Sequence, residues 1–282
     1  MDSELDELMK AIATWAARFG SPSSVTAPSD QDAAGAWAVL IAEVSASLQR
    51  MHASDRHMDR LIAQRQDEWK KRDSEPEKPE HGQVCLMVFV RPRGFGRTLL
   101  PAYDPSLMTR LLELPFHDVG FVPQFSAAGL DSDGTGYVAL SSAPPDRTPN
   151  KTFKVREDGL IFYEERHLLH QDAIWPERFE VVVPRVIANS ATLLVPLLAD
   201  HRVQVKTILV GARNKRLQSD RRPALMEEEY RYDGPDPFTH ECEMAATDLF
   251  ARCEEYALSM LTRFCLGCHL PLAGGWSPSR MG

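Results

Sequence analysis

Hydrophobic positions change their spacing along the chain, and each change marks a different kind of element. Leu5, Leu8, Met9, Ile12, Trp15, Ala16 and Phe19 recur at three- and four-residue steps, the pattern of an amphipathic helix. Ser3 with Asp6 suits a capping box at its start, and Gly20 suits its stop. Ser21 to Asp32 is rich in Ser, Pro, Asp and Ala without periodicity and reads as a linker. A long helix then follows over about Ala33 to Lys71. It sets Trp37, Ile41, Val44, Leu48, Met51, Asp55, Met58, Ile62, Arg65 and Trp69 along one seam at the coiled-coil period of about 3.5 residues. At 1.5 Å per residue such a helix spans roughly 55 to 60 Å. Two partners fit the seam. A second copy of the chain would pair through Trp37, Ile41, Val44, Leu48, Met51, Met58 and Ile62, or the helix lies across its own domain as a brace.

Lys70 to Gly82, charged and holding two prolines, ends this pattern and separates a helical extension (1–75) from a second domain (83–282). Beyond it, continuous apolar runs appear. Val84 to Val90 and Val203 to Gly211 are short, rich in β-branched residues, and bounded by Gly or Pro, as buried strands are. Asp104-Pro105 begins a short helix through Leu114, with Leu107, Met108, Leu111 and Leu112 on one side. Phe121 to Phe125, Tyr137 to Leu140 and Phe179 to Val183 read as strands. Thr152 to Arg156 and Leu160 to Glu164 flank Asp158-Gly159, a hairpin signature that suits a type I′ turn. Pro184 would sit in the first turn of a helix reaching Asp200, with Pro196 kinking it, and a last helix covers about Glu241 to Phe264. The sum is an α+β domain, a mixed sheet with packed helices, behind a long N-terminal helical extension.

Composition narrows the function classes. A hydrophobic share of 43% with 26% charged residues is that of a globular protein. A net charge of −8 disfavours a dedicated nucleic-acid binder. The acidic start Met1-Asp2-Ser3-Glu4 lacks a signal peptide's basic region, and no window reaches the roughly 18 unbroken apolar residues of a membrane span. Five cysteines without export signals are expected to be reduced thiols in a cytoplasmic protein.

Several strings imitate chemical motifs. Cys265-Leu266-Gly267-Cys268-His269 has the spacing of haem attachment, but without an export signal and with thirteen residues after His269 it leaves little to wrap a haem. A zinc site on Cys265 and Cys268 would need two more ligands from His240, Cys242, Cys253 or His269. The competing reading makes Gly267 a helix stop and the cysteines small apolar side chains. Asp131 to Gly136 starts like a calcium loop, yet Ser142 stands where the closing Glu belongs. Gly94-Phe95-Gly96 is too short for a phosphate-binding fingerprint. His117 with Asp118, and His167 with His170, have no nucleophile or metal motif to serve. Lys206, Arg213, Lys215, Arg216, Arg221 and Arg222 face one acid, Asp220, over that stretch. They and Arg91, Arg93 and Arg97 both follow strands, so they could meet at one end of a sheet and grip phosphates. No cofactor is expected.

The order of features from about Met58 to Gly267 carries a resemblance. A charged helix end (Met58 to Arg65) leads to a strand ending Val90-Arg91-Pro92. Gly-Leu-Ile-Phe-Tyr-Glu-Glu-Arg (Gly159 to Arg166), a helix and the strand Val205 to Gly211 follow. This resembles the C-terminal half of bacterial proteins with a Schlafen-like (divergent Alba) DNA-binding domain. The DNA-binding half has no counterpart here, so the resemblance implies a regulatory or sensing domain and carries over no functional residue. The expected function is a non-enzymatic interaction protein that self-associates, or pairs with another protein, through its helical extension. The alternative is a nucleic-acid-binding regulatory or defence protein using the basic loops.

Overall fold

The computed structural model describes residues 30–73, 83–94, 98–101, 104–116, 136–140, 151–166, 168–170, 173–198, 201–219 and 230–269. The helix expected over Leu5 to Phe19, the strand over Phe121 to Phe125 and the loop over Asp131 to Thr135 lie outside them. The chain divides into two compact units, Met1–His57 with Gly94–Gly96, and Met58–Arg93 with Arg97–Gly282. The division falls within the long helix α1 (Asp30–Asp73), not at the Lys70 to Gly82 boundary that composition marks.

In the first unit, α1 exposes Val39 and Ile41, 59% and 62% accessible, while Val44 and Leu48 are half-buried. Asp55, one of the two breaks in the apolar seam, accepts a hydrogen bond from the backbone N–H of Gly94 at 3.2 Å.

The second unit is built on a six-stranded sheet of β1 (Cys85–Pro92), β2 (Gly136–Leu140), β3 (Lys151–Arg156), β4 (Ile161–Glu165), β7 (Arg202–Val210) and β9 (Phe238–Ala245). Their order is β2-β3-β4-β1-β7-β9, and every pairing is antiparallel. Parallel pairing occurs in a small second sheet, where β6 (Ala173–Ile174) runs antiparallel to β5 (Leu169–His170) and parallel to β8 (Arg216–Leu217). The α+β class stands, with mixed pairing confined to this small sheet.

Helices cover both faces of the main sheet. On one side Met58, Ile62 and Trp69 of α1 pack on Cys85, Met87, Phe89, Phe162, Ile208 and Val210. On the other, Phe179 of α3 (Pro176–Leu198) and Met260 and Phe264 of α4 (Leu249–Leu266) meet Leu86, Thr207, Leu209 and Phe238. Covering on two faces explains why β1 is buried along its whole length and reads as an unbroken apolar run. The short helix α2 (Pro105–Leu112) is capped by Asp104, whose carboxylate accepts from the Ser106 N–H at 2.9 Å, with Pro105 at the first helical position. Leu107 and Leu111 are its buried residues.

Three local readings are corrected. Phe179 to Val183 is not a strand: the helix starts at Pro176 and runs through Pro184. Its buried residues Phe179, Val182, Val183, Val186, Ile187, Ser190, Ala191 and Leu194 keep helical spacing, which outweighs the β-branched composition. The last helix begins at Leu249, because Phe238 to Ala245 forms edge strand β9 with Phe238, His240 and Met244 buried and Glu241 and Glu243 exposed. The β3–β4 hairpin is present, but only Gly159 has positive φ, +85°, whereas a type I′ turn needs two such residues. Glu157, Asp158 and Gly159 make a three-residue loop closed by Gly159 N–H to Arg156 O at 3.0 Å and Arg156 N–H to Leu160 O at 2.9 Å.

Candidate functional site

The sheet register sets Arg91 and Arg93 apart from Arg213, Lys215 and Arg216, while Lys206 lies opposite Phe89 in mid-strand. β1 and β7 are antiparallel, with Arg91 opposite Gln204 and Cys85 opposite Val210. Arg91 and Arg93 therefore lie where β7 begins, while Arg213, Lys215 and Arg216 follow its end. At ~3.4 Å per residue the length of an eight-residue strand, roughly 27 Å, parts them. Among the described residues, Arg91 and Arg93 therefore do not meet Arg213, Lys215 and Arg216 in a common phosphate grip.

Four of these cations already hold partners. Arg91, 2% exposed, donates through Nε to Gln204 Oε1 at 2.6 Å and through Nη2 to Asp59 Oδ1 at 2.7 Å. Arg93 pairs with Glu243 at 2.9 Å and Lys206 with Glu241 at 3.1 Å. Arg216 donates to Gln218 at 2.8 Å, and Arg213 is exposed. Arg97, Arg221 and Arg222 lie outside the described residues. Of the proposed oligomerisation seam, Met58 and Ile62 are 1% and 3% exposed inside their own unit, so the bracing reading holds for that part of the helix. Ile41, Val44 and Leu48 lie before the division, and the side chains of Trp37 and Met51 are outside the described set.

The strongest concentration of buried charge lies elsewhere, at the end of β4. Side chains alternate along a strand, so Glu164 and Glu165 point to opposite faces. Glu164, 1% exposed, faces α1: Arg65 Nε donates to its Oε2 at 2.7 Å, and Arg166 Nε donates to its Oε1. Arg65 also reaches Glu68 at 2.7 Å and stacks over Phe162, and Arg166 stacks over Trp69. Glu165, 6% exposed, takes Arg178 of α3 at 2.7 Å and the Tyr163 hydroxyl at 2.9 Å, with Lys151 at 3.9 Å. Adjacent carboxylates thus tie one helix to each face of the sheet.

The energetics follow from burial. Burial works to lower the Arg65 pKa, but Glu164 and Glu68 outweigh it and raise it overall. Burial, reinforced by Glu165, pushes the Tyr163 phenol well up, and burial lowers Lys151. Burial, then the Glu164 charge, pushes the Cys85 thiol well up, which keeps it protonated and inert. Every oxygen of Glu164 and Glu165 accepts from a fixed donor, so the arrangement is a clamp between layers, not a poised base. Sequence reasoning singled out Gly159 to Arg166 as a string but missed this. Two acids and a base ending an apolar strand were its only signal.

The cysteine motif falls into an aromatic corner. Phe264 stacks on Tyr232 at 4.5 Å and meets Phe238 and Phe179 edge-on at 5.4 and 5.8 Å. Cys265 and Cys268 are buried beside it, and burial pushes the Cys268 thiol up. Among the described residues no group of three or more His, Cys, Asp or Glu is gathered around a metal position. Gly267 is the C-cap that ends α4, the expected helix stop, with right-handed φ of −68°; a Cβ there would lie 2.5 Å from the Tyr232 ring. His269 takes the positive φ, 55°.

His240 sits inside the β9 edge of the sheet, 6% exposed. Its ring tilts against Tyr256 at 4.8 Å, and Arg263 Nη1 lies 3.3 Å from Nδ1. Burial first, then Arg263, lower its pKa to about 4, against the pull of Glu241. The unfolded chain therefore binds a proton before the folded one does. Stability is expected to be intact above about pH 6.5 and to fall as pH drops towards 4, by at most about 3 kcal/mol. Urea titrations at pH 7 and pH 4.5 check this, and a pH dependence unchanged in His240→Gln would contradict it.

Helix α3 is long and apolar enough, by length and composition, to cross a membrane, and more than half of its most apolar stretch is buried. No protein-family model matches the chain, and no curated protein or solved structure matches it either. The Schlafen-like resemblance therefore rests on its short strings alone.

Proposed function

We propose that this is a non-enzymatic interaction protein of the cytoplasm that self-associates through the first part of α1, with its α+β unit acting as a regulatory or sensing module. The observation that carries this reading is the unequal use of one seam. From Met58 onward its apolar positions are buried within the second unit, whereas Ile41 is 62% exposed on the same helix. Ile41, Val44 and Leu48 continue the coiled-coil spacing that a second copy would meet with its own equivalent residues. The regulatory role is what the Schlafen-like resemblance implies. Nucleic-acid binding has less support, since Arg91, Arg93 and Lys206 are tied to Asp59, Glu243 and Glu241.

Sedimentation equilibrium of the full chain tests the proposal. The wild type is expected to be dimeric at tens of micromolar, and Ile41→Asp with Leu48→Asp to weaken association at least tenfold while the melting curve stays cooperative. A monomeric wild type, or a double variant that associates as tightly, would sink it.

A further inference from the structure

Trp69 and Arg166 are 2% and 6% exposed, yet the indole Nε1 and the guanidinium Nη1 meet no hydrogen-bond acceptor among the described residues. Both groups only donate, so no rotamer or tautomer turns either into a match for the other. They belong to a single pair, with the Arg166 guanidinium carbon 5.7 Å from the Trp69 ring centroid. Native proteins rarely leave even one buried donor unmet, and two adjoining donors call for an oxygen acceptor. The charge around them selects its type. Arg166 donates its Nε to Glu164, a carboxylate it shares with Arg65, so that acid only partly neutralises the Arg166 charge.

We propose that Trp69 and Arg166 form a binding site for a small oxyanion of the phosphate or carboxylate class. The anion accepts from the indole N–H and from Arg166 Nη1, and Glu164 holds the guanidinium in place from its other edge. The site belongs to the last turns of α1 and the end of β4, so an occupied site strengthens the seating of that helix on the sheet. It does not depend on self-association.

The test uses the full chain at constant ionic strength. Inorganic phosphate and acetate are titrated separately against sodium chloride, followed by tryptophan fluorescence and by calorimetry. A saturable response to phosphate, to acetate or to both supports the site and names the class. Trp69→Phe keeps an aromatic ring under the guanidinium but lacks the N–H, and calorimetry is expected to show at least about tenfold weaker binding. Arg166→Lys, which keeps the charge but lacks Nη1, is expected to lose as much, and it decides the matter if Trp69→Phe does not fold. A response no different from that to chloride, or folded variants that bind as tightly as the wild type, would overturn the proposal.

Discussion

Glu164→Ala is expected to destabilise the second unit by about 3–5 kcal/mol, the usual effect of breaking a buried ion pair from one side. The carboxylate is 1% exposed and accepts from both Arg65 and Arg166. Its removal leaves the buried Arg166 guanidinium against Trp69 without its acid, and the half-buried Arg65 with Glu68 alone. The measurement is urea unfolding followed by circular dichroism at pH 7. Glu255→Ala is the control: Glu255 pairs with Arg252 on the surface of α4, and the urea midpoint is expected to stay where it is. If Glu164→Ala unfolds no earlier than Glu255→Ala, the clamp is not a source of stability.

Removing residues 1–57 is expected to leave a cooperatively folded protein, and removing residues 1–80 to abolish the fold. The second deletion takes Met58, Ile62 and Trp69 out of the core they form with Cys85, Met87, Phe89 and Phe162. Truncating one such side chain costs about 2–5 kcal/mol, so losing all three rivals the 5–15 kcal/mol that holds a typical domain together. Asp59 and Arg65 leave with them, stranding Arg91 and Glu164 with only part of their partners. Thermal melts of the two shortened chains give the answer. A cooperative melt for residues 81–282 near that of residues 58–282 would show that α1 is dispensable. The contrast also matters for self-association, because a chain lacking residues 1–80 is expected to lose its fold together with the helix and so reports on both at once.

Much of the fold is legible in local pattern. β1 and β7 announce themselves as apolar runs because they are central strands covered on both faces. Asp104-Pro105 starts α2 through chemistry confined to three residues, and Asp-Gly marks the β3–β4 hairpin. The missed elements share a cause. Phe179 to Val183 is β-branched enough for a strand, and only its place under β1 and against α4 makes helical spacing the one that buries it. Phe238 to Ala245 is too polar to look like a strand, since an edge strand shields its open side with charges such as Glu241 and Glu243. Among candidate site residues, the Cys265 and Cys268 pair drew attention through spacing alone, and its surroundings are aromatic.

The sequence by itself determined the α+β class, the long helix and its apolar seam, since these depend on periodicities that neighbouring residues set. Tertiary structure decided how the seam is shared. The helix keeps one repeat throughout, but its apolar residues from Met58 onward are buried by a sheet whose strands come from residues 85 to 245, beyond the reach of any local pattern. It also decided which charges stand free. Antiparallel pairing of β1 with β7 sets Arg91 and Arg93 at one end of the strands and Arg213, Lys215 and Arg216 beyond the other, and alternation along β4 turns Glu164 and Glu165 to opposite faces. A cation's availability depends on the group that folding brings beside it: Gln204, Glu241 and Glu243 reach their partners through the register of the sheet, and Asp59 through the packing of α1 on its face.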